Sequence, residues 1–165
     1  MPNPIKIAIA LGGNLGDVPA AFEQAAALLA AGGVSEIRRS GNYRTRPVGC
    51  APGAPDFLNA ALTGVWRGGA GELLELCQRI EIGLGRPARH GVNRDRPLDL
   101  DLILFGGEII RGETLTVPHP RALERIFVLE PLAEIAPDWV FPEQKITVKN
   151  ALSRLRLLTT GRNVI

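Results

Sequence analysis

Hydrophobic positions divide this chain into short strand-like runs and longer stretches of helical period. Ile5 to Leu11 is a compact apolar run rich in isoleucine and alanine, which predicts a central first strand. Gly12-Gly13-Asn14-Leu15-Gly16-Asp17 interrupts it, with Asp17 placed to cap a helix and Pro19 tolerated in its first turn. Ala21, Phe22, Ala25, Leu28 and Leu29 recur at helical spacing until Gly32-Gly33. Val34 to Arg46 has mixed polarity and predicts one partly exposed second strand. A proline- and glycine-rich loop, 47–55, leads to a third strand over Phe57 to Trp66. The side-chain period of two puts Leu58, Ala60, Leu62 and Trp66 on its core face, with Phe57, Asn59, Ala61 and Thr63 on the other. Ala70 to Ile82 predicts a second helix with Leu73, Leu74, Cys77 and Ile80 inward.

The run from Pro97 to Phe105 carries the most chemistry. Asp99 and Asp101 fall on one face of a strand, and Leu98, Leu100, Leu102 and Leu104 on the other. Two carboxylates on a half-buried face are costly without positive charge to compensate them. A divalent cation held by both answers that cost, and oxygen ligands suit magnesium completed by water and phosphates. The bland alternative is an edge strand whose aspartates face water. After this strand, Gly106-Gly107 predicts a hairpin turn. A marginal ribbon follows over Glu108 to Arg111 and Leu115 to Val117. Arg121 to Glu134 reads as a helix that Pro131 kinks or divides, and Ile146 to Leu155 as a weak final helix. The order strand, helix, strand, strand, helix, strand predicts an α+β fold. Its core is a ferredoxin-like β-α-β-β-α-β arrangement, an antiparallel sheet with helices packed over it, plus a hairpin and C-terminal helices.

At 165 residues the chain fits a single domain, 1–165, with no internal repeat or linker. A net charge of +2 gives no broad case for nucleic acid or a membrane surface, and no apolar run reaches spanning length. Positive charge is instead local, with Arg86, Arg89, Arg94 and Arg96 just ahead of the aspartates. Guanidinium forks there suit a triphosphate, and glycines would let the loop close over it; the alternative is a solvated loop. Cys50 and Cys77 lack metal-ligand spacing and point to a reduced interior, and the N-terminus lacks a secretory pattern, so the cytoplasm is the expected location. The glycine loop after the first strand matches neither GxGxxG nor GxxxxGK[ST] and reads as a tight strand-to-helix connection. Asn59 among apolar neighbours is either a partner for a planar heterocycle or an asparagine tied to local backbone; the strand alone leaves both open.

The motif Arg96-Pro97-Leu98-Asp99-Leu100-Asp101-Leu102 is close to the signature of a known family. So are Gly12-Gly13-Asn14-Leu15-Gly16, Tyr43-Arg44-Thr45, Pro55-Asp56-Phe57-Leu58-Asn59, Gln78-Arg79-Ile80-Glu81 and Leu115-Thr116-Val117-Pro118-His119-Pro120, in the same order. From Ile5 to about Phe141 the chain resembles 6-hydroxymethyl-7,8-dihydropterin pyrophosphokinases of folate biosynthesis. The resemblance implies transfer of pyrophosphate from ATP to the pterin hydroxymethyl group, releasing AMP. It implies two magnesium ions on Asp99 and Asp101, with Arg86 and Arg96 joining them as catalytic residues. Thr45, Val48, Phe57, Asn59 and Phe127 would bind the pterin, with Phe127 stacked on the ring. Gln78, Glu81, Arg86, Arg96, Leu102, Thr116, His119 and Arg125 would line the ATP side. The implied partners are these two small molecules, with the chain a monomer that engages neither nucleic acid nor membrane.

The chain departs from the family pattern at three places. The arginine loop has Val92-Asn93-Arg94-Asp95 where the family commonly has a tryptophan, Arg46 replaces a usual proline, and Phe57 a common tyrosine. The competing readings are a ferredoxin-like nucleic-acid-binding domain, a metal-dependent phosphoesterase using the same aspartates, and a regulatory domain without turnover. Aspartates rather than aromatics on the central strand weigh against the first.

Overall fold

The computed structural model describes residues 3–46, 55–85 and 97–163. The loop residues that the sequence singles out, Val48, Cys50, Arg86, Arg89, Arg94 and Arg96, lie outside them.

The chain begins with β1 (Ile5–Gly13), whose alternate residues meet two different environments. Ile7, Ile9 and Leu11 join one apolar cluster, while Ala8 belongs to a second cluster and Ala10 packs against it. α1 (Val18–Ala31) follows, with the Asp17 side chain accepting from the Ala20 amide at 3.1 Å, the cap expected from sequence. Its buried residues Val18, Phe22, Ala25 and Leu29 belong to the first cluster.

The predicted second strand is instead two pieces, β2 (Ser35–Arg39) and β3 (Tyr43–Thr45). The buried Ser40 explains the break. Its amide donates to the Ala61 carbonyl, and its hydroxyl accepts from the Ala61 amide at 2.8 Å, so a side chain replaces the backbone ladder. β4 (Phe57–Trp66) pairs antiparallel with β2, β3 and β1. Its alternation holds as expected, with Leu58, Ala60, Leu62 and Trp66 toward the first cluster and Ala61 toward the second.

α2 (Ala70–Gly83) buries Leu73, Leu76, Cys77 and Ile80. Leu76, not Leu74, completes the inward face; Leu74 is half-buried. β5 (Asp99–Phe105) pairs antiparallel with β1, completing the order β2-β4-β1-β5 with β3 also on β4, so the aspartate strand is at the sheet edge and not central as its apolar run suggested. β5 carries a bulge: Ile9 faces Leu102 but Ala8 faces Leu104, leaving Ile103 as the extra residue. Leu98, Leu100, Leu102 and Phe105 therefore face the first cluster, and Ile103 and Leu104 the second. The simple alternation that put Leu104 with Leu98, Leu100 and Leu102 is corrected by that one residue.

Gly106-Gly107 does not fold a strand back on β5. The ribbon of β6 (Ile110–Arg111) and β7 (Thr116–Val117) is a separate pair. The expected helix from Arg121 resolves into a 3-10 turn, Ala122–Glu124, and α3 (Ile126–Ile135), separated by an extended Arg125. Pro131 lies buried within α3 without dividing it; the interruption is at Arg125. A small hairpin of β8 (Val140–Phe141) and β9 (Ile146–Thr147) precedes α4 (Val148–Asn163), longer than its sequence pattern implied.

The result is a mixed α/β fold with four α-helices among the described residues. α1 and α2 cover one face of the antiparallel sheet, and α3 and α4 cover one end of the other. The opposite end of that second face stays open. No helix among the described residues is long and apolar enough to cross a membrane.

Candidate active site

The open end of the second face forms a cleft of about 360 Å³, and the sheet register dictates what lines its floor. Tyr43 pairs with Asn59, Asn59 with Gly12, and Gly12 with Asp99. One strand step along, Ala61 pairs with Ala10 and Ala10 with Asp101. The cross-strand neighbours of both carboxylates are therefore the smallest residues available. With strands about 4.8 Å apart, Asn59 and Asp99 stand about 10 Å apart across a glycine floor.

Thr45, Phe57, Asn59, Asp99, Asp101, Arg125 and Phe127, all picked out from sequence, line this one cleft. Asn59 is buried, and its side-chain amide donates to the Thr45 hydroxyl at 2.9 Å and the Tyr43 carbonyl at 3.4 Å. Its amide oxygen lies on the Gly12 side, 3.5 Å from where a Cβ at Gly12 would stand. The Asn59 NH₂ is thus tied to the backbone and a hydroxyl of the neighbouring strand, while its oxygen lies along the floor. Phe127 is 38% exposed at the cleft wall, with the Arg125 guanidinium 5.5 Å from its ring centroid. An exposed aromatic that lines a cavity is positioned for a ligand rather than for the core.

Asp99 and Asp101 are half-buried on the same face of β5, as their spacing predicts. No group of three or more His, Cys, Asp or Glu side chains suited to a metal occurs among the described residues. Two carboxylates alone fit a magnesium ion that keeps water and takes phosphate oxygens, and fit poorly a closed all-protein site.

The remaining predicted residues divide between places. Thr116 and His119 line a second cavity of about 190 Å³ beside the β6–β7 ribbon. The His119 amide donates to the Ile103 carbonyl at 3.1 Å, and its Nδ1 accepts from the Arg121 amide at 3.2 Å. A neutral ring with Nδ1 as acceptor carries its proton on Nε2. Burial, and then the Arg125 and Arg121 cations, push its pKa below 6.5, with Asp99 opposing. Gln78 is exposed on α2, outside either cavity. Glu81 is buried, and its Oε2 accepts from the Leu100 amide at 2.7 Å, on the residue between the two aspartates. The Leu102 side chain is in the first core cluster.

Sequence reasoning passed over Gly12 as a ligand-facing residue, along with Ala10 and Val128, which also line the cleft, as does Arg46, noted from sequence only as a departure from a usual proline. The run of small even-numbered residues Ala8, Ala10 and Gly12 on β1, against large odd-numbered ones, was the available signal. Cys77 is buried on the far side of the sheet. Its thiol is pushed up to about 12 by burial and then by Glu81 and Asp101, which leaves it unreactive.

The cleft thus has a sheet floor, an amide at one end, a carboxylate pair at the other and an aromatic wall, the lining of a small-molecule site. Residues 8–137 match the family model for 7,8-dihydro-6-hydroxymethylpterin-pyrophosphokinase (HPPK), and the chain belongs to that family. It is 48% identical over 130 residues to the 2-amino-4-hydroxy-6-hydroxymethyldihydropteridine pyrophosphokinase of Bacillus subtilis, covering 77% of this chain and 75% of that one. It is 41% identical over 132 residues to a mitochondrial folate synthesis bifunctional protein of Arabidopsis thaliana, covering 79% of this chain but 23% of the plant protein. Among solved structures it matches the HPPK-DHPS of Plasmodium falciparum with a TM-score of 0.77 at 11% identity. That match covers 100% of this chain and 45% of the Plasmodium chain, and it is a likeness of fold.

Proposed function

We propose that this chain transfers the β,γ-pyrophosphoryl unit of ATP to the hydroxymethyl group of 6-hydroxymethyl-7,8-dihydropterin, giving the pterin diphosphate and AMP. The observation that carries the reading is the row Tyr43, Asn59, Gly12, Asp99. Its part from Asn59 to Asp99 spans about 10 Å, the scale of a bicyclic ring with a one-carbon arm. In this reading the ring lies over Gly12 with its polar edge on Asn59 and Thr45, and the family resemblance adds Val48 to the pterin contacts. Phe127 stacks on the ring and Phe57 bounds the slot. The hydroxymethyl group then points toward Asp99 and Asp101.

Asp99 and Asp101 would hold two magnesium ions, which supply charge neutralisation and orientation of the phosphates. Arg125 at the cleft wall and Thr116 and His119 in the adjoining cavity would take the nucleotide, together with Gln78, Arg86, Arg96 and the Leu102 main chain. Glu81 contributes to that side through its bond to the strand that carries the carboxylates. The hydroxymethyl oxygen attacks the β-phosphorus, the bond from the α,β-bridging oxygen to the β-phosphorus breaks, and AMP leaves with that oxygen. The hydroxyl proton is lost as the new O–P bond forms. No protein nucleophile enters, so the contribution of the side chains is positioning and electrostatic.

The strand order β2-β4-β1-β5, with α1 and α2 as crossovers, supports a ferredoxin-like core, counting β2 and β3 as one interrupted strand. The reading takes residues 1–165 as one monomeric, cytoplasmic domain with no nucleic-acid or membrane partner. The deciding experiment incubates the protein with magnesium and ATP and follows AMP by chromatography. AMP should appear only when 6-hydroxymethyl-7,8-dihydropterin is added, in equal amount to a pterin diphosphate. Phosphate or ADP release without the pterin would identify a phosphoesterase instead.

A further inference from the structure

The two walls of the cleft come from distant parts of the chain, and one exposed carboxylate joins them. Phe127 lies near the start of α3 and Glu134 near its end, seven residues on and therefore on the same helical face two turns away. Glu134 Oε1 accepts from the Tyr43 hydroxyl at 2.6 Å, and both its oxygens lie 3.2 Å from the Gly41 amide. Tyr43 in turn offers its carbonyl to the Asn59 side chain, and Thr45, two residues further along β3, accepts from the same amide. A continuous path therefore runs from the aromatic wall along a rigid helix, across one charge-assisted hydrogen bond, to the amide on the floor.

We propose that Glu134, through Tyr43, is a positioning residue that fixes the separation between Phe127 and Asn59 and so sets the slot for a planar substrate. This rests on the reading of the cleft as a pterin site. Short hydrogen bonds to an ionised oxygen are about twice as strong as neutral ones, which suits a strap between two elements that share no other ladder. The phenol bears its mark. Hydrogen bonding to Glu134, then burial and the charges of Glu134 and Glu130, with Arg156 opposing, push the Tyr43 pKa from 10.0 up to about 12.

The test compares Glu134→Ala, Glu134→Gln and Tyr43→Phe. Position 134 is an exposed helical site where alanine is a good helix former, so the fold should stand. Titrations measure the Kd of 6-hydroxymethyl-7,8-dihydropterin on protein saturated with magnesium and a non-hydrolysable ATP analogue, and separately the Kd of that analogue. Glu134→Ala should raise the pterin Kd about tenfold and the nucleotide Kd less than about twofold. Glu134→Gln keeps an oxygen for both donors and should recover most of the loss. Tyr43→Phe should shift the pterin Kd in the same direction, and it carries the test if the alanine variant melts. Equal loss of both ligands, or no loss of either, overturns the proposal.

The chain has a single tyrosine, so absorbance at 295 nm reports this phenol alone. Wild-type tyrosinate should form well above pH 10, and Glu134→Ala should bring its formation down toward that value. An ordinary wild-type midpoint would refute the strap itself. Wild-type protein that fails to bind the pterin while its tyrosine resists ionisation would instead refute the site reading on which the slot depends.

Discussion

Adjacent glycines on β1 offer a test in which one residue reports on function and its neighbour on folding. A Cβ added at Gly12 would meet its nearest neighbours, Asn59 Oδ1 and the Leu58 carbonyl, at 3.5 and 3.8 Å, ordinary contact distances. Gly12→Ala should therefore fold normally. Its methyl group would stand on the cleft floor between Asn59 and Asp99 and lift a flat ligand off both. Losing two or three neutral hydrogen bonds costs about 2–3 kcal/mol, or roughly 30- to 150-fold in pterin affinity. A Cβ at Gly13 would instead lie 2.5 Å from the Pro97 carbonyl oxygen and 3.3 Å from Val18 Cγ1. Backbone cannot yield as a side-chain tip can, so Gly13→Ala should lose about 1–3 kcal/mol of stability. For a chain of this size that lowers Tm by several degrees. The assay pairs thermal melts with pterin titrations on both variants. A Gly12→Ala protein that melts like wild type and binds the pterin equally well would refute the proposed ring position over residue 12.

Three further outcomes follow from the same geometry. Asp101→Ala should leave the fold intact and remove nearly all AMP formation; substantial magnesium-dependent turnover in that variant would defeat the assignment. Asn59→Ala should weaken pterin binding more than nucleotide binding, read by separate titrations, because Asn59 lies in the first cavity and Thr116 and His119 in the second. Alkaline pH should destabilise the protein through Tyr43. Its native pKa is pushed up to about 12 from the ordinary 10.0 of a tyrosine, so between those values the unfolded state releases a proton that the native state keeps. That contribution is complete below pH 10 and is lost as pH rises toward 12. Urea midpoints should fall less steeply between pH 9 and 11 in Tyr43→Phe than in wild type.

Strong periodicity made most of the first two-thirds of the chain, roughly, legible. β1, α1, β4, α2 and β5 all occur where apolar spacing places them, and Asp17 caps α1 as its type and position imply. The failures arose where a side chain or a single residue overrode the local pattern. Ser40 broke the second strand through its hydroxyl, which no period reveals. The bulge at Ile103 left no trace in the sequence, because that half of the strand is apolar throughout and an unbroken apolar run carries no record of which face each residue takes. In the site, the aspartates and Asn59 stood out as polar residues in apolar strands. Gly12 did not, because its contribution is the volume it leaves empty, visible only once Asn59 and Asp99 are seen on either side. Glu134 was equally silent: an exposed glutamate on a helix is ordinary until its partner 91 residues away is known.

The bulge at Ile103 also constrains how this protein can vary. The carbonyl of that extra residue anchors the His119 amide, so the position of the kink sets how far the histidine sits from the paired carboxylates. Moving it one residue along the strand would carry the docking point about 3.3 Å and turn the next acceptor to the opposite edge. This strand keeps time for two cavities at once, and a one-residue insertion or deletion within it would put them out of step.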